Sequence, residues 1–172
     1  MIRIEPLSSR NFSAYSLDAF ERRQEVRRVY QKSESGYVLI ESPYVENWDL
    51  AKKHDVASDL MNDEYVSYLA LDGEKIVGFI GLAKELVEGY MILDVIQVTE
   101  AFRGQGIGRK LFRKGVEEAR KAGAKGLYIS ACPSEETIAF YRAMGSELAD
   151  PPIREFAEEE PFDLQMVCDV RK

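Results

Sequence analysis

The run Arg103-Gly104-Gln105-Gly106-Ile107-Gly108-Arg109 has residue types and spacing suited to holding an anion. It follows an apolar stretch ending in Ile96-Gln97-Val98 and opens an amphipathic one. Glycines lack Cβ atoms, so this loop can turn tightly and let backbone N–H groups approach a phosphate closely. A helix starting there adds unpaired N–H groups and the positive end of its dipole. Arg103 and Arg109 supply charge-assisted hydrogen bonds to phosphate oxygens. The chemistry this predicts is diphosphate binding. A nucleoside-triphosphatase loop is disfavoured because Gly108 is followed by Arg109-Lys110-Leu111 rather than Lys-Ser or Lys-Thr. A dinucleotide fingerprint is disfavoured because, counted from Gly104, the third glycine falls one position early.

Further along comes Ala139-Phe140-Tyr141-Arg142-Ala143-Met144-Gly145. In this order and at this separation, the glycine run and the Phe-Tyr segment resemble the GNAT superfamily of N-acetyltransferases. That family carries R/Q-x-x-G-x-G/A after its fourth strand and a later A-x-x-F-Y-x-x-x-G segment. The clear match spans about Met91 to Gly145. The resemblance implies acetyl-CoA as co-substrate and direct acetyl transfer to an amine in a ternary complex. It also implies that backbone groups of Ile96, Gln97 and Val98 lie along the pantetheine arm, and that Arg103, Gly104, Gln105, Gly106, Ile107, Gly108 and Arg109 hold the diphosphate. Ile96 and Val98 can pack into the core at the same time.

Tyr141 matches the family's tyrosine, often a general acid near the sulfur, and a phenol pKa near 10 lies close to that of a departing thiol. Its alternative is core packing, because Ile138, Tyr141 and Met144 share helical spacing. Asp94 occupies a strand position where some relatives carry a glutamate base, and an acid embedded among Ile92, Leu93 and Val95 is expected to have a raised pKa. A structural hydrogen bond or an outward solvated carboxylate are its alternatives, with Glu34, Glu41, Glu135 and Glu136 as substitute bases. Ser134 stands where the family commonly has an Asn that helps hold the cofactor or the strand splay, and Ser146 replaces the usual aromatic after the last glycine.

Composition narrows the partners. A chain of 172 residues with 45% hydrophobic and 31% charged residues reads as one domain spanning 1–172 with a single substantial core. A net charge of −7 argues against nucleic acid as a general partner. Basic residues gather instead at and after the glycine loop, at Arg103, Arg109, Lys110, Arg113 and Lys114, where an anionic cofactor would meet them. Two cysteines, Cys132 and Cys168, with no signal-like start and no apolar run of membrane length, predict a reduced cytoplasmic protein. One histidine and no close cysteine pair leave little from which to build a metal site.

The elements that must position these residues follow from patterning. Ile2–Pro6 alternates as a strand, and Asn11 or Ser13 caps a helix carrying Phe12, Tyr15, Ala19 and Phe20. Glu21 to Arg28 reads as a solvated face. Val29-Tyr30 and Tyr37-Val38-Leu39-Ile40 flank either an irregular loop or a hairpin, and Pro43 stops the apolar run. A helix is predicted over Asp49–Met61. Asp72-Gly73 and Glu88-Gly89 are turn signals, so Tyr65–Leu71, Ile76–Leu82 and Tyr90–Val98 form an antiparallel meander.

A helix stripe of Leu111, Phe112, Gly115, Val116, Ala119 and Ala122 leads by a crossover to Leu127–Ala131, a strand parallel to the preceding one. Ser134 caps the next helix, Gly145 ends it, and Phe162–Cys168 is the final strand. The fold class is α+β with a mixed, mostly antiparallel sheet flanked by helices, the order that the GNAT fold implies.

Acidic Glu155–Asp163 forms either a solvated loop or a negative rim that attracts a cationic acceptor. Tyr37–Tyr44 and the overall layout are similar to streptothricin acetyltransferases, which modify a lysine-like chain. A small primary amine is the expected acceptor. A protein N-terminus or lysine, or a catalytically silent acyl-CoA sensor, are the alternatives. The resemblance also implies a possible homodimer.

Overall fold

A computed structural model describes residues 1–172. Its strands are β1 (Ile2–Pro6), β2 (Arg23–Ser33), β3 (Gly36–Asn47), β4 (Tyr65–Asp72), β5 (Lys75–Ala83), β6 (Tyr90–Val98), β7 (Gly126–Ala131), β8 (Glu147–Leu148) and β9 (Leu164–Asp169). Its helices are α1 (Leu50–Met61), α2 (Ile107–Lys121), α3 (Glu135–Ala143) and α4 (Arg154–Glu159). Seven strands form one sheet in the order β1-β4-β5-β6-β7-β9-β8, and β2 and β3 form a separate ribbon. All pairings in the large sheet are antiparallel except β6 with β7. The expected mixed, mostly antiparallel sheet with one parallel pair is therefore present.

Burial on the two faces of the sheet explains the patterning. On one face α2 lays Ile107, Leu111, Phe112, Gly115 and Ala119 against β5, β6 and β7, as its stripe predicts, while Ala122 lies beyond the buried face and forms the C-cap. Gly123 then takes φ +74°, and the Ala124 N–H reaches the Ala119 carbonyl at 2.9 Å, closing the helix end. On the other face α1, capped by Asp49, packs Val56, Ala57 and Leu60 beside Leu69, Leu71 and Phe79. Burying each large aliphatic side chain contributes roughly 1.5–3 kcal/mol, so the two apolar layers hold the sheet between them.

Three expectations fail in the first third of the chain. Residues 11–20 form turns rather than a helix, although Phe12, Leu17 and Phe20 are buried. Ser16 Oγ accepts the Ser13 N–H at 2.8 Å and Ser13 Oγ accepts the Tyr15 N–H at 3.3 Å, local bonds that compete with a helical ladder. Glu21–Arg28 is not a solvated face, because Arg22 and Val26 are buried and β2 begins at Arg23. Pro43 does not stop β3, since the ribbon shifts register between Val26 and Arg28, opposite Pro43. Proline fits such an irregularity because it lacks the N–H a regular ladder would use. The last strand also starts two residues later than expected, at Leu164, leaving Phe162 exposed.

The parallel pair is short. β6 meets β7 only at Tyr90, Met91 and Ile92, opposite Gly126, Leu127 and Tyr128, whereas β5 stays paired with β6 through Val98. Beyond Ile92 the two strands part, and one backbone edge of β6 opens onto a cleft. Gly126 anchors the start of this splay, since a Cβ built on it would lie 2.6 Å from the Cys168 carbonyl oxygen and 3.1 Å from the Tyr90 ring. Gly126→Ala is therefore expected to destabilise the fold by about 2–3 kcal/mol. A denaturant midpoint unchanged from wild type would contradict this.

Candidate active site

The cleft opened by the splay is a cavity of about 770 Å³. Its walls bring together Asp94, Ile96, Gln97, Val98, Arg103, Gly104, Gly106, Ile107, Gly108, Arg109 and Tyr141. Gln105 and Ser134 are not on the walls. Gln105 is exposed. Ser134 is fully buried, with its Oγ donating to Thr137 Oγ1 at 2.8 Å and accepting from the Thr137 N–H at 3.3 Å and Gln24 Nε2 at 3.1 Å. Its hydroxyl caps α3 and ties β2 to it. Of the substitute carboxylates only Glu136 reaches the cavity; Glu41 and Glu135 lie with Arg27 and Arg28 in a separate surface depression.

The loop has the backbone that anion binding requires. Gly104 and Gly106 take φ +79° and +82°, and nothing stands within 4 Å of a Cβ built on either. Gly106 is the N-cap of α2 and provides no side-chain hydrogen bond, so the first N–H groups of the helix keep their donors for a ligand. Gly108 faces inward, and its missing Cβ leaves room for Phe140, whose ring would otherwise lie 3.0 Å away. Arg103 is partly committed to the fold. Its Nε donates to the Val98 carbonyl at 3.2 Å and its Nη1 to the Arg23 carbonyl at 2.7 Å, fastening the end of β6 to the start of β2.

Asp94 owes its direction to a β-bulge. Leu82 faces Leu93 and Gly81 faces Val95, so Asp94 is the extra residue between them. The expectation of an embedded carboxyl is corrected here, since Asp94 is exposed and turned into the cleft mouth. Tyr65 Oη donates to Asp94 Oδ2 at 2.5 Å, and burial followed by that bond raises the Tyr65 pKa. Asp59 lies close enough that, after burial, the charge of Asp94 is the next largest cause holding its carboxyl above the ordinary value.

Tyr141 is 7% exposed and stands against Phe112 and Phe140, with ring centroids 6.3 and 5.4 Å away. Burial raises its pKa, with smaller contributions from Cys132 and Asp163, so the phenol keeps its proton at neutral pH. Its backbone is pinned, because the Ser146 N–H donates to the Tyr141 carbonyl at 2.9 Å where Gly145 turns the chain at φ +93°. Tyr141 is thus a core aromatic that also forms part of the cavity wall.

Several wall residues escape motif reading. Gln24 and Glu25 enter the cavity from β2, Arg22 from the residue just before it, and Cys132 from the residue after β7. Tyr44 Oη lies 4.0 Å from Cys132 Sγ, and burial, then Cys132, pushes the Tyr44 pKa up to about 12. The available signal is period-two alternation into β2, since Gln24 and Val26 share one face of the strand and Val26 breaks the charge run.

Asp163, from the acidic stretch, is pushed up from 3.8 to about 6 by burial and then by Glu160 and Glu46. An acid whose folded pKa is raised binds its proton more tightly in the folded state, so stability falls as pH rises from about 4 through 6. Asp163→Asn removes that loss. It is expected to exceed wild type in stability at pH 7.5 by about 1 kcal/mol, discounted for partial solvent exposure, and to equal it near pH 3.5. Denaturant midpoints at both pH values check this, and a difference independent of pH would contradict it.

Comparison with known proteins places this geometry. The family described as Acetyltransferase (GNAT) matches residues 13–145. Acetyltransferase Atu2258 of Agrobacterium fabrum is 45% identical over 49 residues, which cover 28% of this chain and 36% of that protein. Among solved structures, nourseothricin acetyltransferase superposes with a TM-score of 0.73 at 18% identity, covering 98% of both chains. A Bacillus anthracis structure assigned as a streptothricin acetyltransferase, in complex with acetyl coenzyme A, gives 0.74 at 17% identity, again over 98% of both chains. The ribosomal-protein-S18-alanine N-acetyltransferase of Escherichia coli gives 0.62 at 17% identity, over 99% of this chain and 94% of that one. These structural likenesses establish the fold. Because the family match spans the cleft, the glycine loop and the Phe-Tyr helix together, the chain belongs to the GNAT family of acetyltransferases.

Proposed function

We propose that the protein is an acetyl-CoA-dependent N-acetyltransferase that acts on a primary amine of a small, cationic molecule by direct transfer in a ternary complex. The observation that carries this is the joining, in one cavity, of the open edge of β6, the glycine loop at the start of α2 and Tyr141. When bound, acetyl-CoA supplies the activated acyl group as a thioester. The N–H groups of the α2 start and the side chain of Arg109 would hold its diphosphate, and the backbone of Ile96, Gln97 and Val98, where β7 no longer pairs with β6, would orient its arm. Asp94, at the cleft mouth, takes a proton from the incoming ammonium directly or through water. Tyr141 holds its phenolic proton until negative charge develops beside it, and donates it there.

Two features support a small acceptor. The β2–β3 ribbon is fastened over the cleft by Arg28, whose Nε and Nη2 donate to Glu135 at 2.8 and 2.6 Å, and by the Tyr30 N–H, which donates to the Pro133 carbonyl at 2.9 Å. Asp94, Glu25 and Glu136 on the walls supply negative charge for the ammonium group of the acceptor. Thiol release measured with acetyl-CoA and a panel of polyamines, aminoglycosides, streptothricin, amino acids and short peptides tests this reading. Turnover with intersecting initial-rate lines is expected. Parallel lines would contradict direct transfer, and preference for peptides would contradict the small acceptor.

A further inference from the structure

We propose that Arg22 reads a carboxylate on the acceptor, so that the substrate is an amino acid or a derivative that keeps both its amine and its acid. This rests on the acetyltransferase reading and deepens it. Arg22 is 5% exposed, yet it lines the cavity. Its Nε donates to Gln97 Oε1 at 2.9 Å. Glu46 comes no nearer than 3.8 Å to Nη2, a distance that leaves the charge partly balanced but makes no hydrogen bond. Nη1 is buried and has no partner at all. A guanidinium placed out of water with an unmet donor is costly, and a ligand oxygen that reaches it would offset that cost.

The group is also held ready. Its Cζ lies 5.5 Å from the centre of the Trp48 ring, and the bond to Gln97 fixes it from the other side. A planar fork restrained in this way matches the two oxygens of a carboxylate.

The alternation of β6 indicates which anion it meets. Ile96 and Val98 pack with the apolar layer of α2, whereas Val95 packs with Phe79 and the layer of α1. Successive strand residues point to opposite faces, so Gln97, paired with Phe79, shares the α1 face with Val95. Arg22, bonded to the Gln97 side chain, therefore enters the shared cavity from the α1 side of β6, whereas the helix start lies on the α2 side; Arg103, whose pKa burial and then the charge of Arg22 lower, stands between them. The anion it serves belongs to the acceptor. Asp94 and Glu25 on the same walls receive the ammonium end, which makes the site complementary to a molecule carrying both charges.

The test compares kcat/KM of the wild-type protein for amino acids with that for their carboxamides and decarboxylated amines, then repeats the comparison in Arg22→Gln and Arg22→Lys. An acid preferred over its amide by about tenfold or more is expected. Arg22→Gln should abolish the preference through KM, Arg22→Lys should retain part of it, and coenzyme affinity should match wild type in both. Should neither variant fold, the wild-type comparison alone decides. Equal or better use of amides overturns the proposal and leaves the acetyltransferase reading standing. Loss of coenzyme affinity with the acid preference intact reassigns Arg22 to the cofactor and also overturns it. If no panel member is turned over, stabilisation of the coenzyme-bound protein by N-acetyl amino acids but not by their amides supports the proposal, and equal stabilisation or none overturns it. Failure of acetyl-CoA to bind removes the underlying reading, and the proposal with it.

Discussion

Tyr141→Phe is expected to lower kcat on the order of a hundredfold while leaving coenzyme affinity and the melting temperature close to wild type. The substitution removes one oxygen from a side chain whose ring packs against Phe112 and Phe140 and whose backbone is pinned by the Ser146 N–H. Packing therefore survives, and only the proton is lost. Because burial keeps the wild-type phenol protonated at neutral pH, the variant deficit should be nearly constant from pH 6 to 9. Steady-state rates and a coenzyme titration across that range check it. Unchanged kcat would reduce Tyr141 to a core aromatic, and an equal loss of coenzyme affinity would make it a binding residue instead.

Gly106→Val is expected to weaken coenzyme binding by about tenfold to a hundredfold with little loss of global stability. Gly106 sits at φ +82°, where a side-chain-bearing residue costs roughly 1–2 kcal/mol and a branched one more. Space is not the obstacle, because nothing lies within 4 Å of the added Cβ. The loop can relieve its strain by turning away from positive φ, and doing so moves the N–H groups proposed to hold the diphosphate. The measurement is a calorimetric titration with coenzyme A beside a denaturant melt. Wild-type affinity in a folded variant would contradict the role given to the loop backbone.

The parts of the fold legible in the sequence are those whose signals are local. Asp72-Gly73 and Glu88-Gly89 mark the turns of the meander, Ser134 and Gly145 bracket α3, and the α2 stripe predicts its buried face. Asp94 lies where expected along the chain, but its exposure does not follow from its apolar neighbours. The bulge opposite Gly81 and Leu82 rotates it out of the alternation, and a bulge has no mark in one strand's sequence because it depends on the pairing of two. Arg22 was hidden for a related reason. Its charge suits a solvated face, and its burial comes from contacts with Gln97 and Trp48, both distant in the chain. The turns at 11–20 defeat the helical pattern because serine side chains satisfy the backbone locally.

In the proposed function, the α2 start and the open edge of β6 form a coenzyme site. Titration of the wild-type protein with acetyl-CoA by isothermal calorimetry tests it most directly, with pantetheine and adenosine 3′,5′-bisphosphate as partial ligands. One site per chain is predicted, with a Kd on the order of micromolar and a marked loss when the diphosphate is absent. Absence of binding at saturating acetyl-CoA, or equal binding of pantetheine alone, would contradict it.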